Sequence, residues 1–318
     1  MQLDFAGRDR GRSDGTVERV SENRLLGTLA DSFSLEVSPK EALRSAQDLD
    51  VPAGTRTFIT RLPKGSFEET LAAAVALSRL GLRPVPHVTA RTIPDRPTLE
   101  KWLQRLVREA GVSEILLIAG SNDHPAGSFA ATADVLTTGV VEASGLTGVN
   151  FAGHPEGHPV AAESDLRRAI DLKNEFAGRT GLACALVTQF FFDAAPVIAW
   201  EKRLREQGNR LPIDPGLHGV TGVPSLLKHA LACGIGASMK ALSSHSGGML
   251  QFAQMRTPDV LARAIAEAHA HDPESLFRGF HVFPLGGLAR TVSWIKQVRG
   301  SDPSSRRPEP RAGEGVTP

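Results

Sequence analysis

Tyrosine is absent from the 318 residues, and cysteine occurs only twice. No site in this chain can therefore use a phenol as its acid or hydrogen-bond donor. The thiols of Cys184 and Cys233 lie in apolar surroundings without a CxxC spacing, which predicts buried thiols in a reducing compartment. A large charge of one sign is also lacking. The formal net charge is +1, so we expect neither a nucleic-acid nor a membrane partner.

Long apolar runs are missing as well. None approaches the roughly 18 residues of a membrane-spanning helix, and the N-terminus has charges but no apolar segment typical of a secretory signal. These patterns predict a cytoplasmic protein. Residues 1–23 and 301–318 are polar and rich in glycine, arginine or proline, which predicts flexible ends around one ordered domain, residues 24–300.

Within the ordered part, short β-like runs alternate with patterns typical of amphipathic helices. The eight β-like runs are residues 33–37, 56–62, 84–90, 114–120, 148–153, 182–192, 211–217 and 279–285. Eight strands that are each followed by a helix predict an α/β fold with a parallel sheet. The number favours a single-domain (β/α)8 TIM barrel, with a doubly wound open sheet as the alternative.

Helix boundaries have signals of their own. Ser66 and Glu69 form a capping-box pattern, Gly111 is placed to end a helix, and Asp193 is placed to begin one.

Polar residues cluster where the predicted strands end, and that end of a barrel is where chemistry is found. Glu36 stands between Leu35 and Val37 in the first strand. Burial of a carboxyl group there predicts a raised pKa, which suits a general acid. The alternative is that Glu36 only makes a hydrogen bond in a polar barrel mouth.

Other polar side chains end the later strands. They are Thr60, His87, Thr89, His154, His158, Thr188, Gln189, Asp214 and His218. Imidazoles with a carboxylate could bind a metal, but there is no HExxH pattern and we assign no metal ligand. An organic cofactor with polar ring edges is the other interpretation. The loop from Gly120 and Ser121 to Asp123 could hold a ligand or simply turn the chain.

Five motifs together resemble, in the same order, those of the methylenetetrahydrofolate reductase family. They are SLEVSPKE (34–41), PHVTA (86–90), HPEGHP (154–159), LVTQFFFD (186–193) and a DPGL turn (214–217). The resemblance extends over about residues 33–294 and implies a bacterial, single-domain type of enzyme. Such enzymes hold FAD, take electrons from NADH or NADPH, and reduce 5,10-methylenetetrahydrofolate to 5-methyltetrahydrofolate. The implied setting is one-carbon metabolism and methionine biosynthesis, or the reverse oxidation in a demethylation pathway.

The resemblance also implies roles for individual residues. Glu36 matches the general acid that protonates N10 of the folate. Gln189 matches a glutamine that contacts the folate and the nicotinamide. The implied flavin contacts are Thr60, His87, His158, the neighbourhood of Asp165, the loop residues Gly120 and Ser121, and His154 in place of a tyrosine. Asp123 is the candidate replacement for an aspartate that the family has and this chain lacks.

Several departures fall where the family contacts FAD. Ala119-Gly120-Ser121 replaces Arg-Gly-Asp, Glu175 stands where a lysine is expected, with Lys173 two residues away, and Gly286-Gly287 replaces Asn-Arg. These changes remove charge-assisted hydrogen bonds to a pyrophosphate. We still expect FAD, with folate and a nicotinamide nucleotide as partners, and leave a homo-oligomer open. The alternatives are a flavin-independent reductase, a metal-dependent hydrolase or lyase, and a non-catalytic binding protein.

Overall fold

The computed structural model describes residues 26–27, 29–44, 49–62, 65–158, 161–232 and 257–300. The predicted flexible ends and Cys233 lie outside these residues.

Eight parallel strands close into a barrel in the order of the sequence. The strands are β1 (Ser34–Val37), β2 (Arg56–Ile59), β3 (Arg83–Thr89), β4 (Glu114–Ile118), β5 (Gly148–Gly153), β6 (Ala183–Phe190), β7 (Ile213–His218) and β8 (His281–Phe283). The barrel closes where β8 pairs with β1, with Ser34 opposite His281. The predicted (β/α)8 barrel is therefore confirmed, and each predicted β-like run overlaps one of the strands, with β3 and β7 each extending one residue beyond it.

Helices follow the strands and cover the outside of the barrel. They are α1 (Pro39–Arg44), α2 (Phe67–Arg79), α3 (Arg96–Ala110), α4 (Thr132–Leu136), α5 (Val140–Ala143), α6 (Glu163–Thr180), α7 (Ala194–Glu206), α8 (Val223–Ala232), α9 (Asp259–His271) and α10 (Leu288–Gly300), with a 3-10 turn at Ala90–Thr92. Within the described ranges, no helix is both long enough and apolar enough to cross a membrane.

The helix boundaries follow the signals in the sequence. The Ser66 side chain accepts from the Glu69 N–H while the Glu69 carboxylate accepts from the Ser66 N–H, so α2 begins with a complete capping box. Gly111 ends α3 with a left-handed φ of 61°. The Asp193 side chain accepts from the Ala195 N–H at the start of α7. All three predicted boundaries are confirmed.

Strand alternation divides the barrel into an outer and an inner core. Outward-facing residues such as Leu35 and Val37 pack with the helices. Inward-facing Phe58, Val85 and Leu116 pack with Val187 in a separate apolar cluster. On β2, Arg56 and Thr60 flank Phe58 and face the same way. The apolar cluster therefore lies between a polar layer at the amino end of the barrel and another at its carboxyl end.

The DPGL segment is not a turn. It forms part of β7, and Asp214 lies near the amino end of that strand, where its side chain is fully buried. Arg56 Nη2 donates to Asp214 Oδ2 over 2.9 Å, and Arg278 Nε donates to Oδ1 over 3.0 Å. The two guanidinium groups hold the pKa of Asp214 below its usual value against the opposing effect of burial. Our placement of Asp214 at the chemically active end was therefore wrong.

The cysteine that the structure describes is inert. Cys184 is a free, buried thiol on β6. Burial raises its pKa to about 11, so the thiol stays protonated near neutral pH.

Candidate active site

Glu36 faces the interior of the barrel at its carboxyl end. Strand β1 directs alternate side chains inward, and Glu36 follows Ser34 on that face. One of its oxygens, Oε2, lies 3.3 Å from Nε2 of His87 and 3.3 Å from Nε2 of His281. The His281 contact has the geometry of a hydrogen bond, whereas Nε2 of His87 is not aligned for one. The carboxylate therefore sits between two imidazoles contributed by β3 and β8.

The charge state of Glu36 follows from these neighbours. Burial raises its pKa, but the close contacts and the charges of His281 and His87 outweigh burial and lower the pKa to about 2. The raised pKa that we predicted from the sequence is wrong, because it considered burial without the imidazoles. Glu36 is a carboxylate at neutral pH in this arrangement.

His281 is the site residue that the sequence reasoning missed. Its side chain is fully buried, and its Nδ1 lies 2.9 Å from Oγ of Ser34. The rings of Phe58 and Phe283 contact it edge-on, with centroids at 4.5 Å and 4.6 Å. The available signal was the closure of an eight-stranded barrel, because closure brings the eighth strand beside the first.

Unsatisfied polar atoms lie on β3 and directly after β2. Among the residues that the structure describes, Thr60 Oγ1, His87 Nε2 and Thr89 Oγ1 are buried without a hydrogen-bond partner. Thr60 directly follows β2 and His87 lies on the neighbouring β3. Buried polar atoms normally find a partner, so this wall of the barrel is suited to the polar edge of a ligand ring.

Gln189 lies on β6 with its side chain half buried. Its Oε1 accepts from the N–H of Phe190 over 3.1 Å, which fixes the amide orientation. Gln189 lies near the carboxyl end of β6, but no described contact joins its side chain to Glu36, so the predicted folate contact stays a prediction.

Hydrogen bonds from Arg91 hold the loop that follows β4 in place. The Arg91 guanidinium donates to the carbonyl oxygens of Asn122 and Ala130, over 2.7 Å and 2.9 Å. Gly120 has a φ of 96°, and a Cβ there would lie 2.1 Å from Cγ2 of Thr89, so only glycine fits. The side chains of Ser121 and Asp123 are exposed on this loop. Their predicted ligand contacts stay predictions.

His154 and His158 lie together after β5. Their rings meet edge to face, with centroids 5.0 Å apart. Burial, followed by the charges of Lys173 and His158, lowers the pKa of His154 to about 4, so this imidazole is neutral. His158 is exposed, and its Nδ1 accepts from the N–H of Ala161. Asp165 is exposed at the start of α6 and pairs with Arg168.

The residues near the FAD positions fit a ring better than a pyrophosphate. Lys173 points inward, donates to the carbonyl oxygen of Ala152 over 3.1 Å, and has its pKa lowered to about 8 by burial. Glu175 is exposed and adds an acid. Gly287 has no room for a side chain, because a Cβ would lie 2.3 Å from the carbonyl oxygen of Val220. Thr60 and His87 offer polar atoms to a ring edge, but these three positions offer no cation to a phosphate.

The strand-end histidines do not converge on a point where a metal could bind. His218 is buried on β7, where its Nδ1 contacts the carbonyl oxygen of Gly219. His154 pairs with His158, and His87 contacts Glu36. Among the described residues, no group of three or more histidine, cysteine or acidic side chains is arranged to hold a metal ion. The structure therefore gives the metal-dependent alternative no ligand set.

Fold and site together define a (β/α)8 barrel with a buried carboxylate and two imidazoles at its carboxyl end. The family model for methylenetetrahydrofolate reductase matches residues 53–243, which is more than half of the chain. The chain belongs to the methylenetetrahydrofolate reductase family. A protein named methylenetetrahydrofolate reductase 2 from Saccharomyces cerevisiae is 26% identical over 171 residues, which cover 49% of this chain and 27% of the yeast protein. The matched region thus spans about a quarter of that relative's length.

Glu36 and His281 both lie outside the residues that match the family model. Evidence for their roles therefore comes from the geometry of the site.

Proposed function

We propose that this chain reduces 5,10-methylenetetrahydrofolate to 5-methyltetrahydrofolate with electrons from NADH or NADPH. Family membership supports the substrate class. The observation that carries the proposal is the Glu36 carboxylate, which lies between two imidazoles at the carboxyl end of the barrel. A protein that only bound folate would have no need of this acid–base group.

The reaction requires a proton and a hydride at neighbouring atoms. Protonation of N10 lets the bond between N10 and the one-carbon unit break, and the lone pair of N5 then forms an iminium cation. Addition of a hydride to that carbon gives the methyl product. Glu36 and its imidazoles supply the proton at N10, and Gln189 at the end of β6 contacts the folate. Positioned acids of this kind contribute roughly 10²–10⁴-fold to a rate.

FAD stays a prediction for the hydride relay. Thr60 and His87 would contact the polar edge of its ring, and the bound flavin would carry hydride from the nicotinamide to the folate. At the expected phosphate end, the Lys173 amine is bonded to Ala152, and Glu175 and Gly287 carry no positive charge. We therefore derive no step through FAD. The visible spectrum of protein purified without added flavin provides the test. A flavin spectrum that bleaches with NAD(P)H and recovers with the folate would establish FAD.

Direct hydride transfer from the nicotinamide is the second candidate. The observation that favours it is the inward Lys173, because its amine is committed to the carbonyl oxygen of Ala152. NAD(P)H that carries deuterium at both C4 positions separates the candidates. A hydrogen that passes through a flavin nitrogen exchanges with water, so unlabelled product would support FAD. Product that retains one deuterium would support direct transfer.

Both candidates share the same failure condition. A protein that neither consumes NAD(P)H in the presence of methylenetetrahydrofolate nor oxidises 5-methyltetrahydrofolate in the reverse direction would contradict the proposed function. The physiological direction, the cytoplasmic location and a homo-oligomeric state stay predictions.

A further inference from the structure

His281 is enclosed on every side that the structure describes. Its side chain has no exposed surface, whereas the side chains of His87 and Glu36 are 10% and 16% exposed. The polar contacts of the ring are Ser34 at Nδ1 and Glu36 at Nε2. A proton on Nε2 of His281 therefore has the Glu36 carboxylate as its route to the barrel mouth.

Ser34 keeps its contact with the His281 ring when Nε2 gives up a proton. A hydroxyl oxygen can accept a hydrogen bond. In the doubly protonated ring, Nδ1 donates to Oγ of Ser34 and the Nε2 proton faces Glu36. After Nε2 has lost its proton, Nδ1 keeps its own proton and still donates to Ser34. Ser34 thus stabilises the neutral form of the ring that can take a proton back at Nε2.

Packing fixes the direction in which His281 presents Nε2. The rings of Phe58 and Phe283 lie against it at 4.5 Å and 4.6 Å between centroids, at interplanar angles of 64° and 89°. Aromatic side chains at these distances leave little room for a second ring orientation. The imidazole is therefore held with Nε2 towards the carboxylate.

The other ionisable groups around this pair are accounted for. His87 from β3 approaches the same oxygen but is partly exposed and not aligned for a hydrogen bond. His218 on β7 contacts the carbonyl oxygen of Gly219. The charged layer of Arg56, Asp214 and Arg278 lies beyond Phe58, towards the amino end. His281 is the buried imidazole that is aligned with Glu36.

We propose that His281 stores the proton that Glu36 passes to N10 of the folate. This inference rests on the proposed function. The pair begins as an imidazolium and a carboxylate. The proton on Nε2 moves to Glu36, and the carboxyl group so formed passes its proton to N10. The electron pair of the breaking bond between N10 and the one-carbon unit stays on N10. The products are a neutral imidazole, a carboxylate and a protonated N10. A proton from the solvent at the barrel mouth then returns to His281 by way of Glu36. His281 is a positioning residue, because it acts through Glu36.

The first test needs no folate. Nitrogen NMR of the wild-type protein with labelled histidine reports whether both ring nitrogens carry protons. The His281 signals are identified by their loss in His281→Gln and their shift in Ser34→Ala. We expect an imidazolium near neutral pH in the wild type and a neutral ring in Glu36→Gln. A neutral His281 in the wild type would overturn the proposal, whether or not the proposed function holds.

The second test is the pH dependence of turnover in His281→Gln. The glutamine can still donate towards Glu36 but cannot carry an exchangeable positive charge. We expect kcat to fall by about 100-fold with little change in KM, and the remaining rate to increase as the pH is lowered, because Glu36 must then take its proton directly from water. The control is His271→Gln at the exposed end of α9, which should keep the wild-type profile.

A kcat within about threefold of the wild type and an unchanged pH profile in His281→Gln would contradict the stored proton, since a positioned acid contributes far more. Absence of any folate turnover in the wild type would instead contradict the proposed function, and the NMR result would then decide the state of His281 by itself.

Discussion

Two carboxylates are buried inside the barrel, Asp214 towards its amino end and Glu36 at its carboxyl end. Each contacts two basic side chains. Asp214 accepts from the guanidinium groups of Arg56 and Arg278, which keep their charge at any ordinary pH. Glu36 contacts the imidazoles of His87 and His281, and an imidazole, unlike a guanidinium, is a side chain that can exchange a proton. The two ends of one barrel thus stabilise a buried carboxylate with different chemistry.

The difference in partners indicates the role of each carboxylate. Partners of fixed charge make the Asp214 layer a structural element, since nothing in it can release a proton. Titratable partners make the Glu36 site able to exchange a proton, and the buried hydroxyl groups of Thr60, after β2, and Thr89, on β3, have no partner in the described structure. A buried carboxylate whose partners have a permanent charge and are fully hydrogen-bonded indicates a structural role. A buried carboxylate whose partners can exchange a proton, and which a ligand can reach, indicates a catalytic role.

The largest effect is expected from Glu36→Gln. The amide fills the same space but cannot pass a proton to N10, so kcat should fall by about 10³-fold, within the range measured for general acids. The free energy of unfolding should fall by about 1–3 kcal/mol, because the neutral amide lacks the charge interactions that lower the pKa of Glu36. Steady-state kinetics and urea unfolding measure the two quantities. Glu163→Gln, at the exposed start of α6, is the control and should keep full activity.

A larger loss of stability, with no loss of activity, is expected for Asp214→Asn. Removal of the charge leaves two guanidinium groups without their common partner, which destabilises a buried network by about 3–5 kcal/mol. The activity of each folded molecule should stay unchanged. Urea unfolding with a matched exposed pair as control, Asp171→Asn beside Arg167, should show less than about 1 kcal/mol for the control. Equal losses of unfolding free energy in Asp214→Asn and Asp171→Asn would contradict the structural role of the Asp214 network.

Both carboxylates should also make the protein sensitive to acid. Their pKa values are lower in the folded protein than the usual values, to about 2 from 4.5 for Glu36 and in the same direction from 3.8 for Asp214. The stability that they provide is therefore complete above the usual values and is lost as the pH falls through the folded ones. Between about pH 4.5 and 3, Glu36→Gln should lose about 1–2 kcal/mol less than the wild type in urea unfolding. Parallel curves would contradict the lowered pKa of Glu36.

The smallest effect is expected for Lys173→Met. Burial lowers the pKa of this amine to about 8. Below that pH the buried amine is charged, and its desolvation lowers the free energy of unfolding. Methionine should raise the free energy of unfolding by about 1 kcal/mol, after the loss of the bond to Ala152 is subtracted. Affinity for FAD or NAD(P)H should not change, since the amine faces inward. Lys202→Met on the exposed side of α7 is the control, and a large loss of nucleotide affinity would show that Lys173 contacts a phosphate.

Local sequence patterns predicted the fold and, in the pair of Glu36 and His281, the carboxylate. Eight runs with helices between them gave the barrel, and Ser66, Gly111 and Asp193 marked helix boundaries through contacts within a few residues. Glu36 was found because a carboxylate inside an apolar strand stands out. These signals all lie within one turn or one strand of the residue concerned.

Contacts between distant segments decided the rest. His281 contacts Glu36 across 245 positions of sequence, and Arg56 contacts Asp214 across 158. The direction of the Glu36 pKa depends on the first contact, and the place of Asp214 depends on the second. The DPGL sequence also favours a turn locally, whereas pairing on both sides keeps it in β7.

A single-turnover experiment tests the central claim most directly. The purified protein, in excess over 5,10-methylenetetrahydrofolate, is mixed with NADPH or NADH without oxygen, and the folates are identified by mass spectrometry. The account predicts conversion to 5-methyltetrahydrofolate in the wild type. Recovery of unchanged methylenetetrahydrofolate from well-folded protein, with FAD both added and omitted, would contradict it.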